Sequence, residues 1–387
     1  MADAVATLFQ VYHTRFPAVL EALNDDLLPR IVERMNSGVN SELIAKLPSE
    51  RLPTNERNLT DARTRIGVLL EYTLARYIDD ELVGLPGNTY RMGFVVANQY
   101  PDLVSRDPQH RPGVRLEVKA VQTASEEKSA NFSTLIRDIR PNQDVLCILV
   151  WEWLPTMRNA VPVQYPHIYK AFAFDAYVIA KIRDLGWLSQ TNYKSPKLID
   201  IAGPTVPTSR RIEGCTTVKG EEKNMGKLMR IVDEKLLNHP ALAAFQTEPN
   251  VQRYLAFTSY TLARGLQTIA RQVLEETGCD PATVQKHEDF TRGRLSLVAS
   301  AALGHSHQVM VLGNGTGRSP RLAEIEAIVG KRIGPVLVFV LNDKFRWKAW
   351  RVVEASAVPL EGGTKPTRIP DWTRRYLRGL ASHKPET

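Results

Sequence analysis

The sequence predicts an α/β (α+β) protein, with a mixed central sheet flanked by helices and a second mixed α/β domain behind it. Three observations carry this. Strand-like alternation over 90–122 follows a long helical pattern; the nearly unbroken apolar run VLCILVWEW comes next, at 145–153; and a helical stretch at 250–277 leads into four more strand-like segments. The 387 residues are 43% hydrophobic and 24% charged, with Gly 23 and Pro 24. Such proportions exclude collagen-like, mucin-like and wholly disordered chains. At roughly 100 to 200 residues per domain, the length predicts two or three domains.

In chain order, residues 1–55 read as an N-terminal helical segment, a cap or interaction surface. There Val5, Phe9, Tyr12, Phe16, Leu20 and Leu23 recur at steps of three or four, as do Leu27, Ile31 and Met35. A domain over 56–205 begins with a helix at 58–78, whose stripe is Leu59, Ala62, Ile66, Leu69, Leu70, Thr73, Leu74 and Tyr77 and whose cap is Asn58 or Thr60. Glu71 falls on the edge of that stripe. Gly84, Pro86 and Gly87 break the helix, and strands are expected at 90–97, 101–106 and 114–122, with Asp107, Pro108, Pro112 and Gly113 turning between the last two. A helix at 132–139, a strand buried on both faces at 145–153, a strand at 168–174 and a helix at 176–184 complete this domain. Gly, Pro, Ser and Thr crowd 203–220, which marks the boundary to a basic C-terminal domain over 206–387. That domain should hold helices at 221–237 and 250–277, strands near 295–300, 307–312, 336–341 and 346–353, and a short basic helix at 371–380. No internal repeat is visible.

The three cysteines, Cys147, Cys215 and Cys279, are too far apart for a ligand pair and odd in number, which points to a reducing, cytoplasmic compartment. The N-terminus has no signal-peptide pattern and no apolar run approaches the ~18 residues that span a bilayer, so no membrane association is expected. Net charge is +8, unevenly spread: from Val206 onward there are 27 Lys and Arg against 18 Asp and Glu. Within 318–378 the basic residues interleave with Phe345, Trp347, Trp350, Trp372 and Tyr376. A basic, aromatic-rich segment suits a phosphate backbone; a solvated face is the alternative. Arg115, Arg346, Lys348, Arg374 and Arg375 are the candidate DNA contacts.

The chemistry is concentrated in YPDLVSRDPQHRPGVRLEVKAVQ, Tyr100 to Gln122. In the last strand Leu116, Val118 and Ala120 share one face, so Arg115, Glu117 and Lys119 share the other. A turn about Gln109 and His110 sets Asp102 directly opposite Glu117, with Cβ atoms about 5 Å apart. Two carboxylates that close are stable mainly with a cation between them, and oxygen donors with no Cys or His cluster nearby favour a hard ion such as Mg²⁺. Such a site suits phosphodiester hydrolysis, with Lys119 placing the nucleophile or stabilising charge on phosphorus and Glu71 as a third carboxylate. The acid-x-Lys pattern recurs at Glu126, Glu221 and Asp233, but only Glu117-Val118-Lys119 sits in an apolar strand behind a Pro-Asp. The alternative is a structural cross-strand ion pair.

At Pro101, Asp102, Glu117 and Lys119, over roughly 58–184, the chain resembles the PD-(D/E)xK nuclease superfamily and, within it, the Type II restriction endonucleases. The resemblance implies a restriction-endonuclease-like core. It implies Mg²⁺ held by Asp102, Glu117 and the carbonyl of Val118, Lys119 serving the attacking water, and Glu71 as the auxiliary helix acid. The function implied is sequence-specific cleavage of double-stranded DNA to leave 5′-phosphates, by a homodimer that works beside a cognate DNA methyltransferase. The superfamily also holds repair, transposition and modification-dependent nucleases, and a non-catalytic DNA-binding protein is the rival from another class. Two weaker motifs are Gly304-His305-Ser306-His307, whose histidines, without acidic or thiol neighbours, read as surface or DNA-facing rather than as a metal pair, and Gly313 to Arg318, a flexible turn without the Lys-Ser/Thr of a P-loop.

Overall fold

The computed structural model describes residues 16–37, 46–47, 56–95, 100–123, 139–188, 237, 240–287, 290, 293–305, 307–315, 319–330, 335–342, 346–353 and 356–363. The chain divides into two compact units, Met1–Thr258 and Ser259–Thr387, each a mixed sheet with helices, the α+β class expected. No helix among the described residues is long and apolar enough to cross a membrane.

In the first unit, helices α1 (Phe16–Ala22) and α2 (Leu28–Ser37) run on through a π-helical turn at Leu23–Leu27, and α3 (Glu56–Val83) follows. Five strands, β1 (Arg91–Phe94), β2 (Leu103–Arg106), β3 (Pro112–Gln122), β4 (Asp144–Arg158) and β5 (Val161–Asp175), stand side by side in sequence order. Only β3 and β4 are parallel, because only they are joined by a crossover; the others are antiparallel neighbours. α4 (Ala176–Leu188) closes the series and packs on β4 and β5.

One face of this sheet (Val114, Leu116, Val118, Val145, Cys147, Leu149, Trp151) shares a core with Phe16, Leu20, Leu27, Ile31 and Met35 and with Leu70, Leu74, Ile78 and Leu82 of α3. On β5 an aromatic group forms, with Phe174 at 4.9 Å from Tyr254 and Phe172 at 5.4 Å from Phe257. The outer edge of β5 is covered by side chains. The Asn24 amide exchanges hydrogen bonds with both backbone groups of Ala173, the Asn36 amide does the same at Ile168, and Lys46 bridges Gln164. Each amide stands in for a neighbouring strand, which removes a free edge.

The second unit takes over within α5 (Pro249–Thr277), followed by β6 (Gln285–Lys286), β7 (Leu295–Leu303), β8 (His307–Asn314), α6 (Leu322–Val329), β9 (Val336–Asn342), β10 (Trp347–Val353) and β11 (Ser356–Gly363). Its sheet runs β11-β10-β9-β8-β7-β6, with β8 and β9 the parallel pair. Met310, Leu312, Val338, Val340, Trp350 and Val352 pack with Ile325 and Val329 of α6. Gly313 lets Leu266 and Phe290 lie against β8, since a Cβ there would stand 2.8–2.9 Å from their side chains.

Several elements differ from the expectation. The buried stripe of α3 is rotated: Leu70, Leu74, Ala75, Ile78 and Leu82 are inside, while Leu69 is exposed and Thr73 only half-buried. β4 and β5 extend to a long hairpin turned by Asn159 and Ala160, both at positive φ. That turn lacks the glycine that announces such a hairpin. α6 and β11 were not expected. The helices placed at 132–139, 221–237 and 371–380, and the boundary at 203–220, lie wholly or almost wholly outside the described residues.

Candidate active site

The β2–β3 hairpin is closed by local turn chemistry. Asp107 accepts from the backbone N–H groups of Gln109 and Arg111, its own carbonyl accepts from His110 N–H, and His110 takes a positive φ. The turn sets Arg106 opposite Pro112, and a register shift between Val104 and Arg106 then brings Val104 to Arg115 and Leu103 to Leu116, so the next residue back, Asp102, falls opposite Glu117; the sequence predicts that outcome but not the shift that produces it. β2 stops pairing at Leu103, and the two strands part there. In the gap, Val118 N–H donates to Asp102 Oδ2 at 2.7 Å, a bond that fixes the carboxylate against β3.

Lys119 joins the group. Its Nζ lies 2.6 Å from Glu117 Oε1, 3.5 Å from Asp102 Oδ2 and 3.0 Å from the carbonyl oxygen of Val118. Alternation put Glu117 and Lys119 on one face, and the four-carbon stem lets the ammonium reach both acids. Glu117 is nearly closed off, its side chain 8% exposed, whereas Asp102 at 25% and Lys119 at 19% face a route to solvent. Burial pushes the Glu117 carboxyl above its ordinary range against the pull of Lys119, and the charge of Asp102 adds to the rise. For Lys119, burial opposes the charge, but Glu117, Asp102 and Glu71 together outweigh it and hold the ammonium above its usual value.

Glu71 belongs to the same electrostatic cluster. It sits half-buried on α3 next to Leu70, where the rotated stripe carries it inward, and its carboxyl is raised to about 7 by burial, then by the charge of Asp102, with Lys119 opposing. Among the described residues no three Asp, Glu, His or Cys side chains converge closely enough to form a ready metal cluster. The centre is instead an ammonium seated between two carboxylates, with a third acid near.

Arg115, expected at the DNA surface, is buried: its side chain is 8% exposed, 3.1 Å from the fully buried Asp144, with its guanidinium 5.2 Å from the Tyr100 ring centre. Alternation places it on the face of Glu117 but says nothing about what covers that face. Asp144 also accepts from Tyr100 Oη at 2.7 Å and from Arg140 N–H at 2.9 Å, so one carboxylate ties the start of β4 to β3 and to the residue before Pro101-Asp102. The sequence reading missed this support; an acid heading the apolar run at 145 was its only signal.

In the second unit Arg346 is exposed and Lys348 is exposed, donating to Ser319 Oγ at 3.0 Å. Trp350, two residues on from Lys348, is buried under α6, and Trp347 packs edge-on to Phe339. That face therefore opens only at its Arg346 and Lys348 end. Arg374 and Arg375 lie outside the described residues. His305 is exposed in the turn after β7 and His307 is half-buried at the start of β8. Compared with family models, curated proteins and solved structures, the chain matches none.

Proposed function

We propose that the chain is a Mg²⁺-dependent, sequence-specific endonuclease of double-stranded DNA, a Type II restriction enzyme of PD-(D/E)xK type with its chemistry in the first unit. The observation that carries this is the meeting of Asp102, Glu117 and Lys119 where β2 and β3 part, within 3.5 Å of one another through the Lys119 ammonium.

The residues fit a hard divalent ion in donor type and in charge. Three carboxylates stand against one ammonium, and the upward shifts of Glu71 and Glu117 come first from burial, with the charge of Asp102 adding to both. Asp102, Glu117 and the Val118 carbonyl would hold Mg²⁺, with Glu71 behind them. When bound, the ion supplies polarisation of the scissile phosphate and a water of lowered pKa. Lys119, whose ammonium rests on Glu117 and the Val118 carbonyl, would orient the attacking water and stabilise the charge that develops on phosphorus. Attack at phosphorus with loss of the 3′-oxygen leaves a 5′-phosphate. The Asp102 carboxylate is held ready for this by Val118 N–H, and the Asp144 network holds the segment that precedes it.

The duplex is held by the more basic half. Residues 259–387 contain 19 Lys and Arg against 12 Asp and Glu, +7 of the chain's +8. A palindromic target is met by a homodimer, and a cognate methyltransferase protects the host. Incubation of unmethylated phage DNA with the protein and Mg²⁺ should yield discrete fragments, abolished by EDTA, by Asp102→Ala and by Glu117→Ala while binding persists. Cutting only of methylated or mismatched DNA would instead mark a modification-dependent or repair nuclease, and a gel shift without cutting a DNA-binding protein.

A further inference from the structure

We infer that the chain carries one architecture twice, and that the second unit is a copy whose catalytic centre has been replaced by core, leaving one centre per chain. In each unit a helix, α3 in the first and the Ser259–Thr277 part of α5 in the second, precedes three antiparallel strands in order, then a crossover to a strand parallel to the third, then an antiparallel strand. β1 to β5 thus correspond to β6 to β10, with β11 added at the edge. The crossovers, residues 123–143 and 315–335, are 21 residues each.

The correspondence holds at the level of single residues. Arg115 N–H donates to the carbonyl of Gln143 just before β4, and Gln308 N–H donates to the carbonyl of Pro335 just before β9, both at 3.4 Å. Arg115 pairs with the first residue of β4, Asp144, and Gln308 with the first residue of β9, Val336. From that anchor, Glu117 matches Met310 and Lys119 matches Leu312. Across the hairpin, Leu103 faces Leu116 as Ala301 faces Val309, so Asp102 matches Ser300, which pairs with Met310. The faces agree as well. Val118 packs with α3, and Gly313, two residues beyond the matching Val311, packs against Leu266 of α5.

Two changes remove the chemistry. Met310 and Leu312 are fully buried in the apolar cluster beneath α6. β7 does not stop where β2 does: it pairs onward from Ser300 to Leu295, against Asn314, with a bulge at Leu297 to Ala299. The gap that receives the Asp102 side chain at Val118 is therefore filled by a strand at Val311. A chain with one centre cuts one strand of a duplex per engagement, a consequence that rests on the nuclease proposal; the copy itself does not.

Reciprocal swaps in the full chain test both parts. Glu117→Met with Lys119→Leu places the second unit's residues in the first; the protein should fold and melt at or up to about 5 °C above wild type, since an apolar pair of similar size often replaces a buried ion pair without loss. Met310→Glu with Leu312→Lys puts charge where β7 shuts the site, and should lower melting by about 10 °C or more. Circular dichroism melts read both. Unfolding of the first variant, or an unchanged melt for the second, overturns the copy. Asp102→Asn should leave no nicking of supercoiled plasmid; residual nicking would reveal a second centre and overturn the inference while sparing the nuclease reading. If wild type cuts no DNA, the nuclease reading falls, and the melts alone decide the copy.

Discussion

Replacement of Lys119 by methionine removes one charge and keeps nearly the same volume. The ammonium lies 2.6 Å from Glu117, with both side chains largely buried. At an effective dielectric of about 20 their gross attraction is on the order of 6 kcal/mol, most of it offset by desolvation. Once Lys119 is gone, Glu117 and Asp102 face each other with only Val118 N–H between them. If both stayed ionised the fold would lose about 3–5 kcal/mol, the cost of leaving a buried charge unpaired. Glu117, already pushed upward by burial, escapes part of that by holding its proton, so the penalty in urea unfolding should shrink as pH falls. The effect on reaction differs in kind. An ammonium that acts on developing charge contributes to rate and little to ground-state binding, so single-turnover cleavage with protein in excess should fall about 10²-fold or more while duplex affinity by anisotropy stays within about 3-fold. Cleavage near the wild-type rate in a folded variant refutes the role of Lys119. A rate loss matched by an equal loss of affinity makes it a binding residue.

Glu71→Ala should slow single-turnover cleavage less than Asp102→Ala does, and an unchanged rate would remove Glu71 from the centre. Asp175 is raised to about 6, chiefly by burial, although its side chain accepts from the Tyr177 and Val178 N–H groups that begin α4. Its folded form holds a proton that the unfolded chain has lost, so stability falls as pH rises from about 4 to 6, by up to about 3 kcal/mol. Asp175→Asn keeps the acceptor without the charge. It should unfold at higher urea than wild type at pH 8, with the gap closing toward pH 4; a less stable variant at pH 8 refutes this. Asp144→Asn should cost about 3–5 kcal/mol in urea unfolding by stranding Arg115, and adding Arg115→Met should regain more than half. Arg346→Ala with Lys348→Ala should lower the slope of log affinity against log salt by up to about 1.8 if both touch phosphate, with the Mg²⁺ requirement unchanged. An unchanged slope moves the DNA surface elsewhere.

The meeting of Asp102, Glu117 and Lys119 was largely legible in the sequence because most of what brings these three together is local. Asp107 at the turn, alternation along 114–120 and the Pro-Asp pair lie within about twenty residues, but the register that brings Asp102 to Glu117 also needs the shift between Val104 and Arg106, which no residue type there announces. Features that depend on distant partners were not. Arg115 shares a face with Glu117, yet its burial depends on Asp144, 29 residues on, and on Tyr100. The stripe of α3 was misjudged for a similar reason. Leu69 is as apolar as Leu70, and the positions of α2, β1 and β3, which pack on the helix, decide which of them turns inward. That same rotation carries Glu71 from the edge of the stripe toward the acids.

The repeated architecture shows how far pattern and fold can separate. Glu117 and Met310 stand at one position of one topology, but a sequence comparison sees an acid in an alternating strand and a methionine in an apolar one. The difference follows from what each face meets. In the first unit the strands part and Asp102 and Lys119 keep a path to solvent, so ionised groups remain tolerable. In the second, β7 continues and α6 covers the face, and the same positions must be apolar. A strand that ends at Leu103, where its counterpart runs on to Leu295, is thus the structural difference that leaves a charged cluster in the first unit and apolar core in the second.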